Sequence, residues 1–156
     1  PSDGHWGAHS DGADSMTKKT DATRGLDQMP PQSNYAELTG IDIVSVALDC
    51  AVCSMKVTDA LANRNGVLHG GALMTLADNV AGTLAFINLP ADKTNTTIES
   101  KTNFLRGVHV GDIVTARCEA LQVGRTLMVL QITMTRGDGK TAAVTTQTHM
   151  ILDWSK

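Results

Sequence analysis

Hydrophobic and polar residues change their spacing along this chain, and each change marks an element. From Ile41 to Val57 the run is rich in Val, Ile, Leu and Cys, which predicts one long strand or two short ones broken near Asp49. Asn63-Arg64-Asn65-Gly66 then predicts a turn. From Gly70 or Gly71 to Ile87 the chain is apolar on nearly every side, which predicts one buried helix. That segment reads as too short, and too interrupted by Asp78 and Asn79, to span a membrane. Beyond it the period becomes two. Ile98, Ser100, Thr102 and Phe104 alternate with Thr97, Glu99, Lys101 and Asn103; Val114, Ala116, Cys118 and Ala120 alternate with Thr115, Arg117 and Glu119; Met128, Leu130, Ile132 and Met134 alternate with Val129, Gln131, Thr133 and Thr135. Each set predicts a half-buried strand. Turn residues stand at 107–111, 124–125 and 136–139, and a last strand is expected from about Thr141 to Leu152. Short connections favour an antiparallel meander.

One helix must therefore serve the whole sheet. The pattern predicts an α+β fold in which a curved antiparallel sheet of five to six strands wraps around one central helix, burying its circumference. The outer face, rich in Thr, Gln and charged residues, is left for solvent or another subunit.

Residues 1–33 lack this periodicity. They are rich in Gly, Ser, Asp, Thr and Pro, and are expected to form a flexible tail ahead of a single folded domain over 34–156. Met16 is a plausible native start. His5 and His9 have helical metal spacing, but their glycine-rich surroundings disfavour a helix. The formal net charge of −3 argues against a nucleic-acid or anionic-membrane surface. Five aromatic residues in all mean that aliphatic side chains must build the core. Three cysteines, an odd number, predict a reducing, cytoplasmic setting rather than a disulfide scaffold. Cys50 and Cys53 have metal or redox spacing, yet on a strand they would project to opposite faces, and no metal or cofactor is expected.

The candidate chemistry begins with Asp78, a carboxylate in the middle of an apolar helix, costly to bury without partners. It could serve a reaction, reach solvent through a gap in the sheet, or cap a loop. Nine residues upstream, His69-Gly70-Gly71 places two glycines at the helix start, where N–H groups lack intrahelical partners and can polarise a carbonyl. Six residues before His69, Asn63 can orient water or a carboxylate.

Asn63-x-x-Gly66-x-Leu68-His69-Gly70-Gly71-Ala72 followed by Leu76-Ala77-Asp78 resembles the signature of the PaaI-like (phenylacetic-acid-degradation type) thioesterases of the hotdog-fold superfamily. The resemblance extends through Thr97-Ile98-Glu99, Asn103-Phe104-Leu105-Arg106, Val110-Gly111-Asp112 and Gly124-Arg125-Thr126, covering about residues 40–152. It implies an acyl-CoA thioesterase in which Asp78 is nucleophile or general base, the Gly70 N–H polarises the thioester carbonyl, and Asn63 and His69 shape the pocket. Thr97 matches a strand position that holds a water-orienting hydroxyl in some members. Gly71, Arg106, Arg125 and Thr126 match substrate-binding positions, the last three often at the nucleotide end of coenzyme A. The resemblance also implies that the helix carboxylate and the His-Gly-Gly turn of one pocket come from different subunits of a homodimer, commonly paired into a tetramer. Two residues depart from the pattern: Gly107 stands where the family often has Pro, and Gly82 where some aromatic-substrate members carry Thr. The alternatives are a hotdog 3-hydroxyacyl-thioester dehydratase or hydratase, and a non-catalytic acyl-CoA sensor.

Overall fold

The computed structural model describes residues 23–154; His5, His9 and Met16 lie outside them. A short helix α1 (Asn34–Leu38) precedes strands β1 (Ile41–Val46) and β2 (Cys50–Lys56). The long helix α2 (Gly70–Ile87) follows, and then β3 (Lys93–Phe104), β4 (Ile113–Val123), β5 (Leu127–Thr135) and β6 (Thr141–Asp153). The six strands form one antiparallel sheet in the order β1-β2-β4-β5-β6-β3. Two connections break the meander: α2 carries the chain from β2 to the far edge, and residues 105–112 carry it back from β3 to β4 beside β2, so the expected meander holds within β1-β2 and β4-β5-β6. Of the two readings of Ile41–Val57, the pair of short strands broken near Asp49 is the one found, and α1 is a small addition to the expected elements.

The sheet curves around α2, which packs against β2, β3, β4, β5 and β6. Leu73, Leu76, Ala77, Val80, Ala81, Leu84, Ala85 and Ile87 face the strands. Opposite them lie Ala51, Cys53 and Met55 of β2, Val114, Ala116 and Cys118 of β4, and Met128, Leu130, Ile132 and Met134 of β5, all buried. Here one expectation is corrected. The helix is not buried all round: Gly71, Met74 and Asp78 are exposed, and Thr75, Asn79, Gly82 and Thr83 are partly so. A sheet can cover only the face turned toward it, and these residues recur every three or four positions on the other side. A second correction concerns length. At 18 residues α2 does reach the minimum length and apolarity of a membrane span, although its apolar side is already taken by the strands.

Four register shifts interrupt simple alternation. In three of them the extra residue is apolar and at least half exposed, Val44 in β1, Ile98 in β3 and Leu121 in β4, whereas in the fourth it is the buried Ala142 of β6. Alternation predicts Ile98 on the face of Ser100, Thr102 and Phe104. The bulge pushes Ile98 out and brings Thr97 onto that face instead. As a sheet edge, β3 has no fully buried residue, so it is not the half-buried strand expected.

Part of the segment read as tail packs on the domain. Arg24 N donates to Leu89 O (3.0 Å), and Arg24 Nη2 donates to Ala91 O (3.1 Å) and Lys93 O (2.8 Å). Its guanidinium lies 4.3 Å from the Phe86 ring centroid and 5.8 Å from that of Trp154. Residues 29–33 then run beside the open face of α2.

Candidate active site

The start of α2 is assembled by local hydrogen bonds. Asn63 Oδ1 accepts from Asn65 N (2.8 Å) and more weakly from Val67 N (3.4 Å), and Asn63 N donates to Val67 O (2.8 Å). Gly66, at φ 73°, supplies the left-handed backbone that closes this turn. His69 N donates to Leu61 O (2.8 Å), and Leu68 N donates to Val108 O (2.7 Å), so the loop is pinned on both sides. The structure thus spends the Asn63 carbonyl on the turn and leaves its NH₂ as the group able to meet a ligand.

His69 is the N-cap of α2. Its Nδ1 accepts from Gly71 N at 2.9 Å, which places the ring proton on Nε2. Both glycines have a steric reason. A Cβ at Gly71 would lie 3.0 Å from His69 Nδ1, and one at Gly70 would lie 3.3 Å from the Phe104 ring. The Gly70 N–H meets no acceptor among the described residues. It is a donor at the positive end of an 18-residue helix. Gly107 also has a neighbour that accounts for it: a Cβ there would come within 3.1 Å of Val67 Cγ1.

Asp78 opens to solvent from the uncovered face of α2. Thr97 Oγ1 donates to its Oδ1 at 2.9 Å, and Gln147 Nε2 donates to the same oxygen at 3.3 Å. Gln147 Nε2 also donates to Ser100 Oγ (2.9 Å). Behind them, His149 Nε2 lies 2.9 Å from Gln147 Oε1 and 3.5 Å from Thr97 Oγ1. Ser100, Gln147 and His149 were not picked out by the sequence reading. Their signal was present in β6, where Ala143, Thr145, Gln147 and His149 share the buried face: three polar residues stand at positions that should be apolar.

Burial pushes the His149 imidazole below its ordinary pKa, and the nearby Asp78 carboxylate partly opposes this. Burial raises the thiols of Cys53 and Cys118 to about 11 and about 12, so neither is a nucleophile. Cys53 is buried and Cys50 only half so, on opposite faces of β2. Among the described residues no three His, Cys, Asp or Glu side chains group to hold a metal ion.

Two clefts meet at Asp78 and Asn79. One, of about 440 Å³, is lined also by Ser33, Tyr35, Gly71, Met74, Thr75, Ser100 and Gln147. The other, of about 340 Å³, is walled by Met29, Pro30, Pro31, Gln32, Ser33, Ile43, Gly82, Thr83 and Phe86. Tyr35 leans over the first, its hydroxyl 3.1 Å from Thr75 Oγ1. A Cβ at Gly82 would meet nothing within 4 Å.

The expected site residues fall into separate groups. Asp78 and Thr97 are in contact. Asn63, His69, Gly70 and Gly71 cluster at the helix start, eight residues from Asp78, or about 12 Å along the axis. No single thioester carbonyl can reach both groups in one chain. Arg106 lies beside the start of β6, its N donating to Ala142 O and its Nη1 to Thr141 O. Thr126 O accepts from Ile151 N at the other end, with Arg125 next to it. That is about 30 Å of strand, so Arg106 and the Arg125-Thr126 pair do not converge on one nucleotide within a chain.

Residues 65–143 match the family described as the Thioesterase superfamily. The chain is 34% identical over 99 residues to the 1,4-dihydroxy-2-naphthoyl-CoA hydrolase of Listeria monocytogenes, covering 64% of this chain and 80% of that protein. It is 28% identical over 131 residues to human acyl-coenzyme A thioesterase 13, covering 82% and 93% respectively. Among solved structures, the PaaI protein of the E. coli phenylacetic acid degradation operon superposes with a TM-score of 0.74 at 26% identity, over 79% of this chain and 87% of that one.

Proposed function

This chain belongs to the thioesterase superfamily and has the hotdog fold, and we propose that Asp78 drives its hydrolysis of an acyl-CoA thioester to the free acid and CoA. The observation that carries the assignment is a solvent-open carboxylate between two clefts, held by Thr97, on the same helix whose first N–H lacks an acceptor among the described residues. The relatives named for CoA thioester hydrolysis supply the substrate class.

In the reaction the Gly70 N–H donates to the thioester oxygen and stabilises its developing charge. As a nucleophile, Asp78 attacks the thioester carbon, the C–S bond breaks, and water then cleaves the mixed anhydride. As a general base, it takes a proton from water, whose oxygen attacks directly. Either way CoA leaves as the thiolate and is protonated by water. The Asn63 NH₂ and the His69 Nε2–H are the remaining donors at the carbonyl end. The axial separation of Gly70 and Asp78 supports a pocket that takes one from each of two copies of a homodimer, and the pairing of such dimers into a tetramer is part of the same proposal. The same pairing would let Arg106 of one copy and Arg125 of another approach one CoA. Free cysteines support a reducing, cytoplasmic setting.

A panel of aliphatic and aromatic acyl-CoAs with a thiol-detecting dye tests this. Thiol release from at least one, falling by about 10³-fold in Asp78→Ala, is expected. Tight binding without turnover would make the chain a sensor, and enoyl-thioester absorbance would make it a hydratase. Undiminished release in Asp78→Ala would remove Asp78 from the chemistry. Single turnover in oxygen-18 water separates the two mechanisms, since label in the enzyme carboxylate marks the anhydride.

A further inference from the structure

Gln147 and His149 are each 1% exposed, and both lie on the core face of β6. A core position seldom holds an amide and an imidazole unless each is fully used. Here the directions of the hydrogen bonds are set. Asp78 Oδ1 can only accept as a carboxylate, so the Gln147 atom 3.3 Å from it must be the NH₂. Turned over, the amide would set two unprotonated oxygens against each other. With the NH₂ toward Asp78 and Ser100, Gln147 Oε1 faces His149 Nε2 at 2.9 Å and needs a donor there. His149 must therefore carry its proton on Nε2. Its Nδ1, buried without a partner, is then a lone pair, which costs less than an orphaned N–H.

We infer that Gln147, locked by the Nε2–H of His149, is a positioning residue that fixes the Asp78 carboxylate and leaves Oδ2 as its reacting oxygen. This rests on the reading of Asp78 as the reacting carboxylate. Thr97 and Gln147 both donate to Oδ1; neither reaches Oδ2. An oxygen accepting two hydrogen bonds is a weaker base than one accepting none, so the pair of donors divides the carboxylate into a held end and a free end. His149 touches no substrate. Its one task is to decide which end of Gln147 faces Asp78, because the Nδ1–H tautomer would call for the turned amide. Among the described residues the titratable side chains around Asp78 are His149 of β6, Tyr35 of α1 and, beyond Asn79, Cys53 of β2, and no described Lys or Arg lines either cleft.

Gln147→Met keeps the volume of the side chain and removes the donor. In the full-length protein, against its best acyl-CoA, kcat is expected to fall about tenfold with KM within about twofold, the loss of one hydrogen bond to a charged group. Donors favour the ionised form of a carboxylate, so the acid limb of the kcat/KM profile should move to higher pH. His149→Leu should reproduce both effects, and the double variant should be little worse than either alone. A purely structural role would lower thermal stability without moving the limb. Should either variant fail to fold, imidazole nitrogen shifts of His149 in the wild-type protein give an independent reading: the Nε2–H tautomer is expected, and Nδ1–H would overturn the inference. Wild-type kcat and an unmoved limb in both variants, with Asp78→Ala inactive, would also overturn it while leaving the function intact. Activity in Asp78→Ala would instead take down the function and this inference together.

Discussion

Thr97 Oγ1 meets Asp78 Oδ1 at 2.9 Å because Ile98, the residue after it, is an extra one in its strand. In a regular β3 the parity of positions 97 and 100 would put the Thr97 hydroxyl on the outer face. The contact joins a sheet edge to the middle of α2. Thr97→Val keeps the shape and removes the hydroxyl, leaving Oδ1 to Gln147 alone. Its kcat should fall about tenfold, while Thr97→Ser should keep most activity. Steady-state kinetics checks both, and a fully active valine variant would reduce Thr97 to packing.

Gly82 presents a different combination of space and cost. It sits inside α2, where glycine is less favourable than alanine by about 0.5–1 kcal/mol, and a Cβ would strike nothing. Gly82→Ala should therefore stabilise the fold by about that amount in urea denaturation. The position also lines the cleft bounded by Met29, Pro31 and Phe86. Gly82→Leu should lower kcat/KM for bulky acyl groups more than for short ones, and an unchanged ranking across the acyl-CoA panel would show that the acyl group does not lie there.

His149 adds a dependence on pH. Burial lowers its pKa from the ordinary 6.5, so the folded chain binds this proton less readily than the unfolded one. The stability linked to neutral His149 is therefore complete above pH 6.5 and is lost as pH falls from there toward the lowered folded value. Thermal unfolding followed from pH 7.5 to pH 5, in roughly half-unit steps, should show a Tm decline that is shallower in His149→Leu. Equal slopes would assign the acid response to other groups.

Much of this fold was legible because its elements obey simple periods. The helix bounds and the inward sets of β4 and β5 follow from apolar spacing, which also marked Ile41–Val57 as strand but left open whether it was one strand or the two found. Alternation failed at Val44, Ile98 and Leu121, since a bulge changes parity without changing composition. In the site, Asp78 and the His69-Gly70-Gly71 turn were conspicuous as a charge in an apolar helix and as paired glycines at its start. Gln147 and His149 were not, because their importance comes from standing opposite Thr97 and Ser100 across a pairing 47 to 52 residues away. Arg24 was hidden for a related reason: its partners, Phe86 and Trp154, stand 62 and 130 residues further along the chain.

The eight-position offset between Gly70 and Asp78 has a consequence at the level of heredity. If a pocket borrows one end of that span from each copy, a lesion at either end disables both pockets of a pure dimer, yet the two lesions need not share a pocket when different chains pair. Asp78→Ala and Gly70→Pro, each inert alone, would on co-expression yield mixed dimers with one pocket doubly damaged and one untouched, restoring roughly a quarter of normal activity. Two null alleles of this gene would then behave, in the same cell, as partial cures for one another.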